Sequence, residues 1–169
     1  SVLITGDGLG FTRKETGAVR IWVNPEPILD GHPQGEDLVR GLILHELGHN
    51  LYDFGEHRFE RVTEIAERRG VHRLMNVLRD ERLERRLRAR RAEWGQLLDR
   101  LAAWAFKHRV RAGDPVSEGD HFLRSLRLGL GSCRVPSEEV RRALSSIPAD
   151  LASRDQDGLL DLAFELAGM

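Results

Sequence analysis

The stretch "LILHELGHNLYD", from Leu42 to Asp53, decides how this chain is interpreted. It places His45 and His49 four positions apart, with Glu46 directly after the first histidine. Residues four apart lie on one face of an α-helix, so both imidazoles can offer nitrogen atoms to one metal ion. The H-E-x-x-H pattern is typical of zinc sites in which the glutamate contacts a water molecule and acts as general base.

The alternative is an apolar core helix whose histidines have ordinary structural roles, because so short a pattern also arises by chance. The context favours a metal site. The motif lies within an apolar run, Gly48 permits close approach of a neighbouring element, and a predicted strand precedes the helix. Zinc is the expected ion, because imidazole and carboxylate ligands with one open position suit it.

Such a site needs a third protein ligand. The segment "NVLRDERLERRL", which begins at Asn76, places Asn76, Asp80 and Glu84 on one face of a predicted helix. Short connections let this helix return antiparallel past the histidines. We therefore predict Asp80 as the third ligand. Glu84 is expected to accept the free ring N–H of a ligand histidine, and Asn76 to support the ligands in the same way.

Other third ligands stay open. Glu84 itself, Glu81 and His57 also carry suitable groups. His57 would reach the ion only if the first helix broke sharply at Gly55. The helix that carries Asp80 is also explained as a solvated charged helix with Glu–Arg pairs.

The first residues predict β-structure. In "AVRIWVN", from Ala18 to Asn24, apolar residues alternate with Arg20, Trp22 and Asn24, as expected of a half-buried strand. An extended peptide can add to the edge of a sheet. If this strand is such an edge, Arg20, Trp22 and Asn24 are the side chains that we expect to bind substrate.

From Glu36 the apolar period becomes helical. The predicted helices span residues 36–54, 56–69, 71 into the arginine-rich stretch, 94–109, 121–128, 137–146 and 158–167. A small N-terminal sheet followed by the motif helix and a mostly helical C-terminal part predicts an α+β fold. We expect residues 1–94 to form the metal-binding core and residues 95–169 a helical extension packed on it, in one compact domain.

Composition restricts the function. Charged residues make up 31% of the 169 residues and the formal net charge is -1, which favours neither nucleic acid nor a membrane surface as partner. Cys133 is the only cysteine, so a disulfide framework and a cysteine-rich zinc site are excluded. We expect a cytoplasmic protein. Because the chain begins at Ser1 in a strand-like run, we also expect a segment of a longer protein.

The segment from Leu42 to about Arg88 resembles a known family, the metallopeptidase-like domain found beside von Willebrand A domains in proteins similar to the cobaltochelatase T subunit. The family pattern joins an HExxH helix, a Thr-Asp-Phe-like turn and a downstream Asn-x-Leu-Glu-Asp-x-Arg-Ile-Glu signature. Asp53 and Phe54 match the turn. The signature is matched by Asn76, Leu78, Asp80, Arg82 and Glu84, with Leu83 in place of isoleucine and Arg79 in place of glutamate.

The resemblance implies a zincin fold and often a partnership with an AAA ATPase or a von Willebrand A domain. In a zincin fold the strand before the motif helix forms the edge of the sheet, so we expect the strand from Ala18 to Asn24 to be that edge. We expect a zinc metallopeptidase of gluzincin or aspzincin type that hydrolyses a peptide or protein. Zinc held by His45, His49 and Asp80 would polarise the scissile carbonyl, and Glu46 would move the proton from water to the leaving amine.

Two other functions fit the same residues. The first is a non-catalytic zinc-binding interaction module, in which the metal pins two helices while a charged surface docks a partner such as an ATPase. The second is a nucleic-acid-associated protease of the SprT-like kind, suggested by the basic run from Arg79 to Arg91 and by His57 as a late ligand. The near-zero net charge counts against nucleic acid.

Overall fold

The structure is a computed structural model, and it describes residues 2–4, 10–15, 18–25, 28, 33–109, 119, 122, 125–127 and 137–168. This part of the chain is predominantly helical, with a small sheet at its start. The strands are β1 (Val2–Ile4), β2 (Gly10–Glu15) and β3 (Ala18–Val23). The helices are α1 (Gly35–Tyr52), α2 (Phe59–Arg68), α3 (His72–Arg90), α4 (Ala92–Arg109), α5 (Glu138–Ser145) and α6 (Gln156–Ala167), with a 3₁₀ helix at Ala149–Ser153.

The sheet has the strand order β1-β3-β2. Strand β3 pairs in parallel with β1, from Ile21 to Val23, and antiparallel with β2 along its whole length. Ile21 and Val23 are buried, as the alternation predicts, and helix α1 packs against β2 and β3. The prediction that this strand is a sheet edge is wrong. Its backbone groups from Ile21 to Val23 already have partners on both sides, so no substrate strand can add there.

Helix α1 carries the H-E-x-x-H motif. Its first turn holds Glu36 and Asp37, whose charges suit the positive end of the helix dipole. Gly48, within the motif, is buried: a Cβ atom there would lie 2.7 Å from Leu83 Cδ1 of α3. The absence of a side chain at this position therefore allows α3 to lie directly against the motif.

The chain divides into two compact units. The first contains Ser1–Gly55 and Leu83–Trp104, and the second contains Glu56–Arg82 and Ala105–Met169. The continuous helix α3 has residues in both. This division differs from the predicted boundary at residue 94. The physical reason is an apolar core in the second unit, where α2 and the first half of α3 pack with α6.

Each unit has its own core. In the first unit, Leu83 and Leu87 of α3 pack with Leu98 of α4, and the partly buried Leu44, Tyr52 and Trp94 pack against them. The core of the second unit contains Val62, Ala66, Val71, Met75, Leu78, Leu151, Leu159, Leu160, Leu162 and Ala163. Both cores are built on α3, which explains why this charged helix is buried along much of its length.

The remaining predictions concern helix ends. Gly70 ends α2 with a φ of +75°, a conformation that favours glycine. Ser137 caps α5, and its Oγ accepts a hydrogen bond from the Val140 backbone N–H at 3.2 Å.

Most of the helix predicted at 121–128, and Cys133, lie outside the described residues. Within the described residues, no helix combines the length and apolar character required to cross a membrane.

Candidate metal centre

The structure brings together three residues that the sequence predicts as metal ligands. Ligand atoms of His45, His49 and Asp80 all lie within 4.8 Å of one another, and all three residues are partly buried. The histidines come from successive turns of α1, and Asp80 comes from α3. Two imidazoles and one carboxylate are a donor set that suits zinc and leaves a coordination position open.

Both histidines are held by carboxylates through the same ring atom. His45 Nδ1 donates to Glu84 Oε1 at 2.9 Å, and His49 Nδ1 donates to Asp53 Oδ2 at 2.6 Å. A carboxylate can only accept, so the proton of each neutral imidazole is on Nδ1. In this tautomer Nε2 carries the lone pair, which is the form in which a neutral imidazole binds a metal ion. This arrangement, in which a carboxylate fixes the tautomer of a histidine ligand, is common at protein metal sites.

The chain positions the two carboxylates by local helix geometry. Asp53 follows the last turn of α1, four residues after His49, and its backbone N–H bonds to the His49 carbonyl at 3.0 Å. Glu84 lies one turn after Asp80 on α3, so both project from the same face of that helix. Asp53 and Glu84 are 1% and 0% exposed, which keeps the two histidine–carboxylate bonds away from competing water.

Arginines balance part of this negative charge. Arg88 donates to Glu84 Oε2 at 3.1 Å, and Arg127 Nη1 lies 3.6 Å from Asp80 Oδ2. Asp80 and Glu84 of α3 thus each have an arginine as a charged neighbour.

The other predicted residues of the centre lie in different surroundings. Glu46 is 6% exposed and follows His45 on α1. Asn76 is exposed, and its Nδ2 lies 3.4 Å from His72 Nε2, so its described contact is with that ring and with neither ligand histidine. His57 is exposed in the turn before α2, and Glu81 is buried on α3.

The residues predicted to bind substrate differ in exposure. Arg20 is exposed and Trp22 is partly buried, whereas Asn24, just after β3, is only 6% exposed. All three take part in interactions within the chain. Arg20 and Trp22 therefore present the accessible surface of this strand.

Arg79, which replaces a glutamate of the family pattern, belongs to a second polar cluster. Its Nε donates to Gln156 Oε1 and its Nη2 to Thr63 Oγ1, both at 2.9 Å, while its guanidinium lies 4.3 Å from the centre of the Phe59 ring. The side chain is 3% exposed. Position 79 thus faces α2 and α6, and its arginine removes no ligand from the cluster of His45, His49 and Asp80.

Two contacts of the centre were not foreseen. Asp53 holds His49, and the signal for it is the i, i+4 spacing of an acid after the second motif histidine. Arg127 lies beside Asp80, and no spacing rule connects two positions so far apart in sequence.

Comparison of the chain with protein-family models, with curated proteins and with solved structures finds no match in any of the three.

Proposed function

We propose that this protein is a zinc-dependent metallopeptidase with a zincin-like fold. One observation carries the proposal: His45 and His49 both bond a buried carboxylate through Nδ1, while a ligand oxygen of Asp80 lies within 4.8 Å of their ligand atoms. A core helix has no need of two histidines with matched tautomers converging on a third ligand. The mixed sheet, whose strands β2 and β3 pack against α1, supports the fold assignment.

Each residue has a definite role in this proposal. A bound zinc ion would supply Lewis acidity, polarising the scissile carbonyl and acidifying water at neutral pH. Glu46 would accept the proton of the attacking water and return it to the leaving amine. His45, His49 and Asp80 would hold the ion, and Glu84 and Asp53 would keep Nδ1 of each histidine protonated.

The substrate would be a peptide or protein. Because β3 is paired on both sides from Ile21 to Val23, contact with substrate would use side chains such as Arg20 and Trp22 instead of backbone pairing there. The resemblance to domains found beside von Willebrand A domains adds a partner to the proposal: an AAA ATPase or a von Willebrand A domain that delivers the substrate.

The test is a peptidase assay on unfolded protein with the wild type and Glu46→Gln. Removal of a general base lowers the rate by about 10²- to 10⁴-fold, and the variant should keep its zinc because Glu46 is no ligand. Glu64→Gln, an exposed glutamate on α2, is the matched control and should retain full activity. Equal rates for the wild type and Glu46→Gln would contradict the proposal.

Two observations favour a second candidate, a non-catalytic zinc module. Glu46 is 6% exposed and β3 is not a sheet edge, so both substrate access and strand pairing are restricted. In this case zinc would fasten α1 to α3, and a partner such as the ATPase would bind elsewhere. Glu46→Gln would then leave partner binding unchanged, whereas His45→Ala would lower the unfolding temperature of the zinc-loaded protein.

The contacts of the basic run do not favour the SprT-like alternative. Arg86 and Arg90 of the basic run lie over the Tyr52 ring, at 5.2 and 5.5 Å from its centre, and Arg88 pairs with Glu84 and Asp99. These arginines have partners within the chain. We therefore do not include nucleic acid in the proposed function.

A further inference from the structure

We infer that Arg127 is a positioning residue of the proposed metal centre: its guanidinium holds Oδ2 of Asp80 and leaves the other carboxylate oxygen for the ion. The inference rests on the proposed metal centre, and it assigns to the C-terminal half of the chain a direct role in that centre. Arg127 lies in a helical stretch at residues 125–127.

The geometry supports a shared carboxylate. Arg127 Nη1 lies 3.6 Å from Asp80 Oδ2, which is longer than a direct hydrogen bond of about 2.7–3.2 Å. At this distance the attraction between the two charges is retained. A carboxylate has about four lone-pair sites on its two oxygens, so it can contact an arginine and bind an ion at the same time. A carboxylate between an arginine and a metal ion is held in orientation from both sides.

The burial of the pair separates it from an ordinary surface ion pair. The side chains of Arg127 and Asp80 are 14% and 29% exposed. In the exposed pair of Arg141 and Glu138, the corresponding values are 56% and 66%. Water and salt screen the exposed pair far more strongly, so Arg141 has little influence on the group it contacts.

The pair also completes a pattern. Glu84 holds His45 and Asp53 holds His49, each through the atom that faces away from metal binding. Arg127 is the corresponding neighbour of Asp80. Each of the three proposed ligands therefore has a charged group beside it: a carboxylate beside each histidine and an arginine beside the aspartate.

The experiment measures zinc affinity by competition with a chromophoric chelator, for the wild type, Arg127→Ala, Arg127→Gln and the control Arg141→Ala. Loss of a group that orients a metal ligand costs about 10- to 100-fold in affinity, and we expect this loss in both Arg127 variants. Arg141→Ala should bind zinc as the wild type does. The visible absorption of the Co²⁺-loaded protein should change in the Arg127 variants, because the orientation of a ligand changes.

A double-mutant cycle with Asp80→Asn separates positioning from a general effect on folding. If Arg127 acts through Asp80, adding Arg127→Ala to Asp80→Asn should cause little further loss of affinity. Independent, multiplying losses would overturn the inference. Arg127→Gln preserves much of the side-chain volume, so it serves if the alanine variant does not fold.

The other outcomes are also decisive. Tighter zinc binding by Arg127→Ala would show that the arginine competes with the ion, and unchanged binding would show that it has no role; both overturn the inference and leave the metal centre standing. A wild-type protein that binds neither Zn²⁺ nor Co²⁺ would remove the metal centre and, with it, the role of Arg127.

Discussion

Helix α3 takes part in two polar clusters. One consists of carboxylates and histidines, and the other is built around arginines. In the first, which we call the ligand cluster, Asp80 and Glu84 lie with His45, His49 and Asp53. In the second, the arginine cluster, the α3 residues Arg79 and Arg82 bond to Glu56, Thr63, Gln156 and the Arg154 carbonyl. Neighbouring residues of one helix thus belong to groups with different chemistry.

The arginine cluster is held by hydrogen bonds within the chain. Arg82 is 0% exposed, and its Nη1 donates to Glu56 Oε2 at 2.7 Å and to the Arg154 carbonyl at 2.8 Å. Gln156 joins the cluster by donating to Glu56 at 2.9 Å and accepting from Arg79. These bonds all lie within the second unit, so we expect the cluster to stabilise that unit.

The ligand cluster has a different composition. Carboxylates accept from Nδ1 of both histidines, and a ligand oxygen of Asp80 lies within 4.8 Å of the ligand atoms of the two rings. Two imidazoles and one carboxylate are a donor set that suits zinc. The comparison teaches that the type and arrangement of the donor atoms, and not burial or charge alone, distinguish a structural polar cluster from a proposed metal site.

The largest effect is expected in the arginine cluster. Arg82→Met leaves Glu56 without its cationic partner, and losing one member of a buried ion pair typically costs about 3–5 kcal/mol. Because Glu56 is 25% exposed, we expect about 3 kcal/mol, at the lower end of this range. Urea denaturation monitored by circular dichroism measures the change.

The matched control is Arg141→Met, which breaks an exposed ion pair on α5 and should cost less than about 1 kcal/mol. Equal stabilities for Arg82→Met and Arg141→Met would show that the arginine cluster contributes no more than a surface pair. The arginine cluster would then have no special role in stability, and this would contradict the contrast that we draw between the two polar clusters.

The next largest effect is expected in the ligand cluster, when the carboxylates that bond the histidines are replaced. Asp53→Asn and Glu84→Gln replace an obligate acceptor by an amide, so each removes the group that fixes one histidine tautomer. We expect zinc affinity to fall by about 10- to 100-fold in each variant. Competition with a chelator measures it, and Glu64→Gln is the exposed control. Unchanged affinity in both buried variants would mean that the tautomers do not depend on these carboxylates.

The sequence predicts part of this arrangement because part of it is local. His45 and His49 share a helix face through a spacing of four, as do Asp80 and Glu84, and helix periodicity alone places each pair. The bounds of α1 and α2 follow from apolar period and from glycines such as Gly70. The position of β3 in the sheet did not follow, since alternation shows which residues are buried but not which strands pair.

Contacts between residues that are far apart in the sequence could not be predicted. Arg79 and Arg82 look like a solvated helix face in sequence, yet both are buried because Gln156 and Glu56 accept their hydrogen bonds. No rule of spacing joins α3 to residues so distant. The same holds for Arg127 beside Asp80. Burial of charge depends on partners that only the tertiary structure reveals.

The smallest effect concerns the approach of α3 to the motif. In Gly48→Ala the new Cβ would lie 2.7 Å from Leu83 Cδ1 and 3.1 Å from Leu87 Cδ1. Overpacking of this kind costs about 1–3 kcal/mol, while alanine regains about 1 kcal/mol of helix propensity. We expect a net loss of about 1 kcal/mol in urea denaturation.

Gly95→Ala is the control for this substitution, because its Cβ would meet only Arg88 Cγ at 3.2 Å, on a flexible side chain. It should leave stability unchanged or raise it slightly. A Gly48→Ala variant as stable as Gly95→Ala would show that α1 and α3 tolerate separation without cost.

The most direct test of the metal centre is the metal content of the purified protein, measured by plasma mass spectrometry. Wild type, His45→Ala, Asp80→Ala and the exposed control His57→Ala are compared after reconstitution with zinc. The proposed centre predicts about one zinc per chain in the wild type and in His57→Ala, and close to none in the other two. A wild type without zinc, or an Asp80→Ala variant that keeps it as firmly as the wild type, would contradict the centre formed by His45, His49 and Asp80.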